Sequence, residues 1–203
     1  MIAYASRTGT RRNLDALRRA GWRLMVSARG VLRTEGFRYA LDNGAWTSFQ
    51  RGEPFDEAAF ERALARLGAG ADWIVVPDIV MGGMASLKFS RTWLARLRNR
   101  RVLSNARFMI AVQNGIMPAH VRGLVGPRVG VFVGGDTEWK LATMASWASF
   151  ARARGATCHV GRVNSARRIR LCAAAGAHSF DGSGVSRFAE ALPRLDLARR
   201  QAR

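Results

Sequence analysis

The chain has 203 residues, 48% of them hydrophobic, which is enough for one sizeable core and short for two independent domains, so we expect a single domain over 1–203. Its 33 Lys and Arg residues against 14 Asp and Glu give a formal net charge of +19. A polyanion is the natural partner for such a chain, because guanidinium groups suit bidentate contacts to phosphate. A GC-rich genome would explain the choice of arginine over lysine, but not the shortage of acidic residues.

Cysteine and histidine are scarce, and their spacing matches neither a metal site nor a disulfide framework. The two cysteines, Cys158 and Cys172, form no CxxC motif, and the three histidines are His120, His159 and His178. We therefore expect no metal, no cofactor and no disulfides, in a reducing cytoplasm. The sequence also lacks a secretion signal and an apolar run of about 18 residues, so we expect no membrane contact.

Short apolar runs alternate with longer helical patterns along the chain, which is typical of a parallel sheet with crossover helices. In chain order the predicted strands are Ile2–Ala5, Arg23–Ser27, Arg38–Leu41, Trp73–Pro77, Phe108–Gln113, Val129–Gly134, Thr157–Val160 and His178–Asp181. The predicted helices are Arg11–Ala20, Asp56–Leu67, Ser86–Asn99, Pro118–Val125, Thr137–Arg154, Ser165–Ala175 and Val185–Leu192.

Strands that alternate with helices in this number predict the α/β class, as a minimal (β/α)8 TIM barrel without a zinc subdomain. We expect the barrel to be irregular after Ser27, because no convincing helix follows that strand. A doubly wound open sheet is the alternative that the pattern leaves open. We expect the basic tail Leu197–Arg203 to fray as a solvated terminus, although its arginines would also suit phosphate.

The predicted strands end in polar or glycine-containing motifs, and a (β/α)8 barrel builds its active site from these C-terminal ends. The motifs are LDNGAW with Asp42, VVPDIV with Asp78, AVQNG with Gln113, FVGGD with Gly134 and Gly135, HVGR with His159, and SFDGSG with Asp181. Each aspartate also has a structural interpretation, because Asp is common in caps and turns. Together the three favour a site, since burying carboxylates is costly unless a ligand satisfies them.

The other residues of this predicted site suit recognition of a flat ligand. Gly134 and Gly135 allow close approach to the backbone, and the amide of Gln113 offers donors and acceptors to a nucleobase edge. His159 is either a satisfied core histidine or a substrate-binding residue able to transfer protons. Trp46, just after Asp42, is placed to stack on a base or to cover it. The tryptophans expected in the core are Trp93, Trp139 and Trp147.

In this order the motifs resemble those of the tRNA-guanine transglycosylase superfamily, barrel enzymes that exchange a guanine in nucleic acid for a 7-deazaguanine. LDNGAW resembles the family segment with the proton-transferring aspartate, which implies that role for Asp42. SFDGSGVSR resembles the segment with the nucleophilic aspartate and a downstream arginine, which implies those roles for Asp181 and Arg187. The residues that correspond to the family's purine-reading strand ends are Asp78, Gln113, Gly134 and Gly135.

The chain departs from the family in two respects, because it lacks the C-terminal zinc cluster and is far shorter. A reduced, zinc-free barrel is similar to the DpdA branch, which is implicated in placing 7-deazaguanines into DNA in phages and bacteria. The resemblance therefore implies DNA as the preferred polymer, with tRNA as the alternative, and a free preQ0-like base as the second substrate. It also implies partner proteins of a DNA-modification system.

The predicted mechanism requires the active-site face to hold a polynucleotide, so we expect that face to be basic. The arginines expected to bind phosphate around it are Arg162, Arg167, Arg168 and Arg187. Two other interpretations stay open: a non-catalytic nucleic-acid-binding barrel or partner subunit, and a barrel of the aldolase or isomerase type. The latter class often uses a lysine at a strand end, whereas Lys88 and Lys140 fall in predicted helices.

Overall fold

The computed structural model describes residues 1–6 and 10–202, and within these ranges eight parallel strands close into a barrel. Each strand pairs with the next in chain order, and the last pairs with the first, with Tyr4 opposite Asp181. The (β/α)8 prediction is thereby confirmed, and the open sheet is excluded. In the same ranges no helix is long and apolar enough to cross a membrane.

The strands lie within two residues of their predicted bounds. They are β1 Ile2–Ser6, β2 Arg23–Ser27, β3 Tyr39–Asp42, β4 Ile74–Val75, β5 Phe108–Val112, β6 Val129–Val133, β7 Cys158–Val160 and β8 Ser179–Gly182. The shortest is β4, which ends before Pro77, a residue with no N–H to donate to a neighbouring strand.

Except between β2 and β3, helices return the chain from the end of one strand to the start of the next, and the last two helices follow β8. In the described ranges they are α1 Arg11–Arg19, α2 Ala45–Gln50, α3 Glu57–Leu67, α4 Gly83–Arg98, α5 Pro118–Val121, α6 Thr137–Ala153, α7 Ala166–Ala174, α8 Gly184–Arg187 and α9 Ala191–Gln201. Asp56, Asp136 and Ser165 cap α3, α6 and α7, since each side chain accepts an N–H of the first turn.

The C-terminal segment differs from its prediction. The helix predicted over Val185–Leu192 is wrong, because the chain forms α8, leaves the helical conformation at Phe188 and then begins α9. The tail does not fray as expected, since α9 continues to Gln201 and its Asp196 binds Arg199 and Arg200 at 2.7 Å. Arg203 lies outside the described residues. The expected irregularity after β2 is confirmed, because no helix connects β2 to β3.

Two apolar layers hold the barrel together. The residues of the inner layer, inside the barrel, include Tyr4, Met25, Ala40, Trp73, Val75 and Met109. The alternate residues of the strands face outward and form the main core with the inner faces of the helices. The tryptophans expected in the core contribute to this outer layer, with Trp93 and Trp147 fully buried and Trp139 packed against it.

We call the C-terminal ends of the strands the mouth and their N-terminal ends the floor. Inside the barrel the floor is closed by a cluster around Asp72, whose carboxylate lies 2.8 Å from the guanidinium groups of Arg23 and Arg38. The Tyr4 hydroxyl donates to Asp72 at 3.0 Å and accepts from the Trp73 indole at 3.1 Å. Burial raises the pKa of Tyr4 to about 12, which keeps this hydroxyl protonated.

Candidate active site

The pleat of the strands directs the predicted site residues toward one another at the mouth. Asp42 lies two residues after the inward-facing Ala40, so its carboxylate also points into the barrel. Asp181 points inward as well, because its Oδ1 contacts the buried His159. The two carboxylates lie near enough for the charge of Asp181 to act on Asp42.

Asp181 is held through one of its two carboxylate oxygens. Oδ1 lies 2.9 Å from Nε2 of His159 and accepts the backbone N–H of Arg162 at 3.3 Å. Within the described residues no hydrogen bond reaches Oδ2, and the side chain keeps 13% of its surface exposed. One oxygen therefore sets the orientation of the carboxylate, and the other is left for a ligand.

His159 lies beneath Asp181 and is completely buried. Burial lowers its pKa in spite of the neighbouring carboxylate, so the ring is neutral at physiological pH. Because Nε2 must then carry the proton that it donates to Asp181, Nδ1 accepts from the Ser179 hydroxyl, 2.8 Å away. The substrate contact predicted for His159 does not fit this burial, and the ring instead positions Asp181.

Asp42 combines a turn-forming contact with a perturbed pKa. Its Oδ2 accepts the backbone N–H of Gly44 at 3.1 Å, and Gly44 adopts a φ of +82° that suits glycine. Burial raises the pKa of the Asp42 carboxyl, and the charge of Asp181 acts in the same direction. A carboxyl with a raised pKa can both donate a proton and take it back closer to neutral pH.

Asp78 lies beside Asp42, in the loop after β4. The amide nitrogen of Asn43 joins the two strand ends, because it donates to Asp78 Oδ1 at 2.7 Å and to the carbonyl of Val76 at 2.9 Å. Burial raises the pKa of Asp78 to about 6, assisted by the charge of Asp42. No lysine or arginine of the described ranges lies within 4 Å of either carboxylate, so these two groups have no countercharge.

Gln113 connects β5 to the loop after β4. It is buried, and its amide nitrogen donates to the carbonyl of Ile79 at 2.9 Å. Among the residues that the structure describes, none donates to its Oε1. The side chain is therefore fixed in place with an acceptor remaining, which suits the N–H edge of a purine.

The two glycines after β6, Gly134 and Gly135, differ in what surrounds the position of a missing side chain. Gly135 has a φ of +71°, and a Cβ there would lie 2.7 Å from both Asn114 Oδ1 and the Trp139 ring. A Cβ on Gly134 would meet only the Val112 carbonyl, at 3.4 Å. Packing thus requires glycine at position 135, whereas position 134 presents bare backbone beside open space.

Arg162 spans the mouth from the β7 side to the β3 side. Its guanidinium lies 4.2 Å from the centre of the Trp46 ring and donates to the carbonyl of Gly135 at 2.6 Å. Its backbone N–H meets Asp181, and its φ of +57° is uncommon for a residue with a side chain. Arg162 therefore connects the nucleophile candidate Asp181 to an exposed aromatic platform.

The other arginines predicted to bind phosphate lie farther from the carboxylates. Arg167 and Arg168 belong to the first turn of α7, and Arg187 is exposed at the end of α8. Arg168 lines a cavity of about 10 Å³ between α6 and α7, which is room for one water molecule. Of the four, only Arg162 contacts an aspartate of the site in the described part of the chain.

Lys140 has a position that the sequence did not indicate. Its side chain is buried behind β7, in the wall of the same small cavity, and its Nζ donates to the carbonyl of Gly161 at 2.6 Å. Burial lowers the pKa of Lys140 to about 8, assisted by the charges of Arg162 and Arg168. Because this ammonium lies outside the barrel wall, it does not supply the strand-end lysine of an aldolase.

Charge and apolar surface are distributed unequally between the two ends of the barrel. The mouth carries most of the acidic residues, including Asp42, Glu53, Asp56, Asp78, Asp136 and Asp181. Its rim has exposed large apolar side chains, among them Trp46, Phe49, Ile79, Met81 and Phe188. Arginines lie at this end as well, among them Arg29, Arg162, Arg167, Arg168 and Arg187, and Arg29 pairs with Glu53 and Asp56. The mouth therefore combines both charges with apolar surface, and a basic active-site face stays a prediction.

No protein-family model matches the chain, and no curated protein matches it. The resemblance to guanine transglycosylases thus stays a prediction. The geometry by itself describes a barrel mouth with three carboxylates, of which one is positioned by a buried histidine and two have raised pKa values.

Proposed function

We propose that the protein is a nucleic-acid guanine transglycosylase, a pentosyltransferase that exchanges guanine for a 7-deazaguanine in DNA through a covalent intermediate. The observation that carries this proposal is the state of Asp181. Its Oδ1 is held by His159 and by the N–H of Arg162, while Oδ2 has no partner among the described residues. A carboxylate held by one oxygen is preorganised to attack with the other.

In the first step Oδ2 of Asp181 attacks C1′ of the target nucleotide. The bond between C1′ and N9 of guanine breaks, and its electron pair goes to the departing base. The carboxyl of Asp42, whose raised pKa favours the protonated form, donates its proton to that base. The products are free guanine, an ester between Asp181 and the sugar, and an ionised Asp42.

In the second step a 7-deazaguanine occupies the place of guanine. The Asp42 carboxylate removes the proton from N9 of the incoming base, N9 attacks C1′, and the bond between C1′ and Asp181 breaks. Asp181 returns to its carboxylate form and Asp42 to its protonated form. Two inversions at C1′ give net retention, as in retaining glycoside hydrolysis.

Recognition of the base is assigned to the remaining residues of the mouth. Asp78 and Oε1 of Gln113 are acceptors for the N–H groups of a guanine-like edge, and the bare backbone at Gly134 allows a flat ring to approach. The target base must leave its stack to reach them. Trp46 and the apolar rim supply surfaces on which unstacked bases can lie.

The test is a base-exchange assay with the purified protein, radiolabelled guanine and either duplex DNA or tRNA. We expect label to enter DNA, and mass spectrometry of nucleosides from cells with and without the gene to show a 7-deazaguanine in DNA. If label enters tRNA alone, tRNA would replace DNA as the proposed polymer substrate. Label in neither, with no 7-deazaguanine in either polymer, would leave a binding protein as the better interpretation.

A further inference from the structure

The floor of the barrel gathers arginines from the ends of many helices. Helices in this fold run antiparallel to the strands, so their last turns lie at the floor. Those last turns are rich in arginine: Arg18 and Arg19 end α1, Arg66 ends α3, Arg96 and Arg98 end α4, Arg152 ends α6, and Arg199 and Arg200 end α9. Arg107 and Arg128 directly precede β5 and β6.

One sector of the floor has no acidic residues of its own. Between Asp78 and Asp136 the sequence contains no Asp or Glu, and the next carboxylate after Glu138 is Asp181. All four of these acidic residues lie toward the mouth, because they follow strands or begin a helix there. The segments that build the floor from α4 to β7 therefore carry arginine alone among charged residues.

We define the basic face as the guanidinium groups of this sector. Its members are Arg98, Arg101, Arg107, Arg128, Arg152 and Arg154. All are exposed except Arg154, which is half-buried. Contacts to backbone carbonyls hold three of them close to one another, because Arg98 and Arg154 donate to the successive carbonyls of Leu124 and Val125, and Arg128 donates to that of Ser104. Arg101 and Arg107 each lie three residues from Ser104, and Arg152 lies two residues before Arg154.

Among residues 1–6 and 10–202, no carboxylate neutralises the charge of this face. Contacts to carbonyl oxygens orient Arg98, Arg128 and Arg154 but leave their net charge and further N–H donors in place. Arg101, Arg107 and Arg152 have no hydrogen-bond or carboxylate partner in the described ranges. The nearby Arg96 and Arg100 differ, since they pair with Glu57 and Glu61 of α3.

The composition of the face favours a phosphate backbone over a protein partner. Protein interfaces have an apolar or aromatic centre, and the segments that carry these arginines expose one large apolar side chain in the structure, Val102. The mouth rim, by contrast, exposes several. Unpaired guanidinium groups without apolar surface are the donor set that sugar–phosphate backbones take.

We infer that the basic face is a second nucleic-acid surface, which holds the backbone of duplex DNA at the end of the barrel opposite the catalytic mouth. Such contacts contribute affinity without sequence preference. A duplex on this face cannot place its own bases at the mouth, so the face retains the protein on DNA while a different segment is examined. Binding there does not depend on base exchange, and the two proposals can therefore fail separately.

The experiment measures affinity for a fluorescein-labelled duplex of about 30 base pairs over a series of salt concentrations. The test variant combines Arg101→Glu, Arg107→Glu and Arg152→Glu, three side chains without described partners. The control combines Arg12→Glu, Arg62→Glu and Arg194→Glu, exposed positions on α1, α3 and α9 that change the net charge equally. A third variant with glutamine at 101, 107 and 152 removes the charge without reversing it.

We expect the test variant to bind at least about tenfold more weakly at 0.1 M salt, with a salt-dependence slope smaller by about 2 to 3, as for three lost phosphate contacts. The glutamine variant should show a smaller loss in the same direction, and the control should stay within about twofold of the parent. Circular dichroism and thermal melting establish that all three variants fold.

Three results would overturn the inference. Equal weakening of the test and control variants would show a general effect of net charge. Unchanged DNA binding in folded test and glutamine variants would remove the face from DNA binding altogether. Unchanged DNA binding together with lost binding to poly-glutamate would assign the face to an acidic protein instead.

Discussion

The barrel contains aspartates at both ends of its interior, and the two ends treat them differently. At the floor, Asp72 receives the guanidinium groups of Arg23 and Arg38 and the hydroxyl of Tyr4. At the mouth, Asp42 and Asp78 receive a backbone N–H and an asparagine amide, but no cation within 4 Å in the described ranges. The chain has 33 basic residues, so a shortage of cations does not explain why the mouth carboxylates have no ion pair.

The floor carboxylate is neutralised by the fold, whereas the two mouth carboxylates have no countercharge in the described ranges. A buried charge that serves the fold is neutralised by its own chain, because an unpaired one is costly. A charge kept without a partner, with its pKa raised, is available to a ligand. Substitutions at the two ends should therefore divide into those that reduce activity and those that reduce stability.

The largest effect is expected from Asp181→Asn at the mouth. Loss of the nucleophile should lower base exchange by more than about a thousandfold and abolish the covalent protein–DNA adduct, while the thermal midpoint stays near that of the parent. Exchange of radiolabelled guanine measures the activity, and denaturing gel electrophoresis detects the covalent adduct. An undiminished adduct in this variant would refute the assignment of Asp181.

The opposite outcome is expected from Asp72→Asn at the floor. Removing this carboxylate leaves Arg23 and Arg38 unpaired and should lower the free energy of unfolding by about 3 kcal/mol, with base exchange retained below the melting temperature. Urea denaturation measures the free energy of unfolding. The control is Asp15→Asn, whose exposed ion pair with Arg18 should be worth less than about 1 kcal/mol. A comparable loss of stability in the Asp15→Asn control would contradict the structural role assigned to Asp72.

Asp78→Asn should show the cost of an unpaired carboxylate through its pH dependence. Because the folded-state pKa of about 6 lies above the ordinary value of 3.8, folding favours the protonated form. The contribution of Asp78 to stability should therefore fall as pH rises from 4 to 6 and stay low above pH 6. The variant lacks this pH-dependent contribution. Its free energy of unfolding should exceed that of the parent by about 2 kcal/mol at pH 8 but not at pH 4. A pH-independent difference would contradict the raised pKa.

A smaller effect is expected from His159→Phe, which keeps a ring between Trp73 and Phe132 but removes the hydrogen bond to Asp181. If His159 positions the nucleophile, kcat should fall about tenfold with KM unchanged. Steady-state kinetics separate the two constants, and Ser179→Ala should produce a weaker effect of the same kind. A raised KM with an unchanged kcat would restore the substrate contact first predicted for His159.

The smallest effect is expected from Trp46→Ala on the rim. Loss of one stacking platform should weaken binding of the polynucleotide by about five- to tenfold, and Trp46→Phe should retain most of the affinity. Fluorescence anisotropy with single-stranded DNA measures the change. Equal losses in both variants would indicate that the indole supports Arg162 rather than a base.

Several features of the site escaped sequence reasoning because they depend on neighbours from other strands. Ser179 stands two residues before Asp181, so the pleat could have placed it inward, yet its partner His159 belongs to β7. Asn43 follows Asp42 directly, but its role arises from contact with the loop after β4. The burial of Lys140 results from the packing of α6 against β7.

The sequence by itself determined the barrel and the positions of Asp42, Asp78, Gln113 and Asp181 at its strand ends, because strand periodicity and terminating polar residues are local properties. Only the tertiary structure decided which carboxylate is paired, which histidine nitrogen is engaged and where the arginines lie. A residue's charge can be read from the chain. Its partners depend on closure of the barrel, which brings strand ends together at the mouth and helix ends together at the floor.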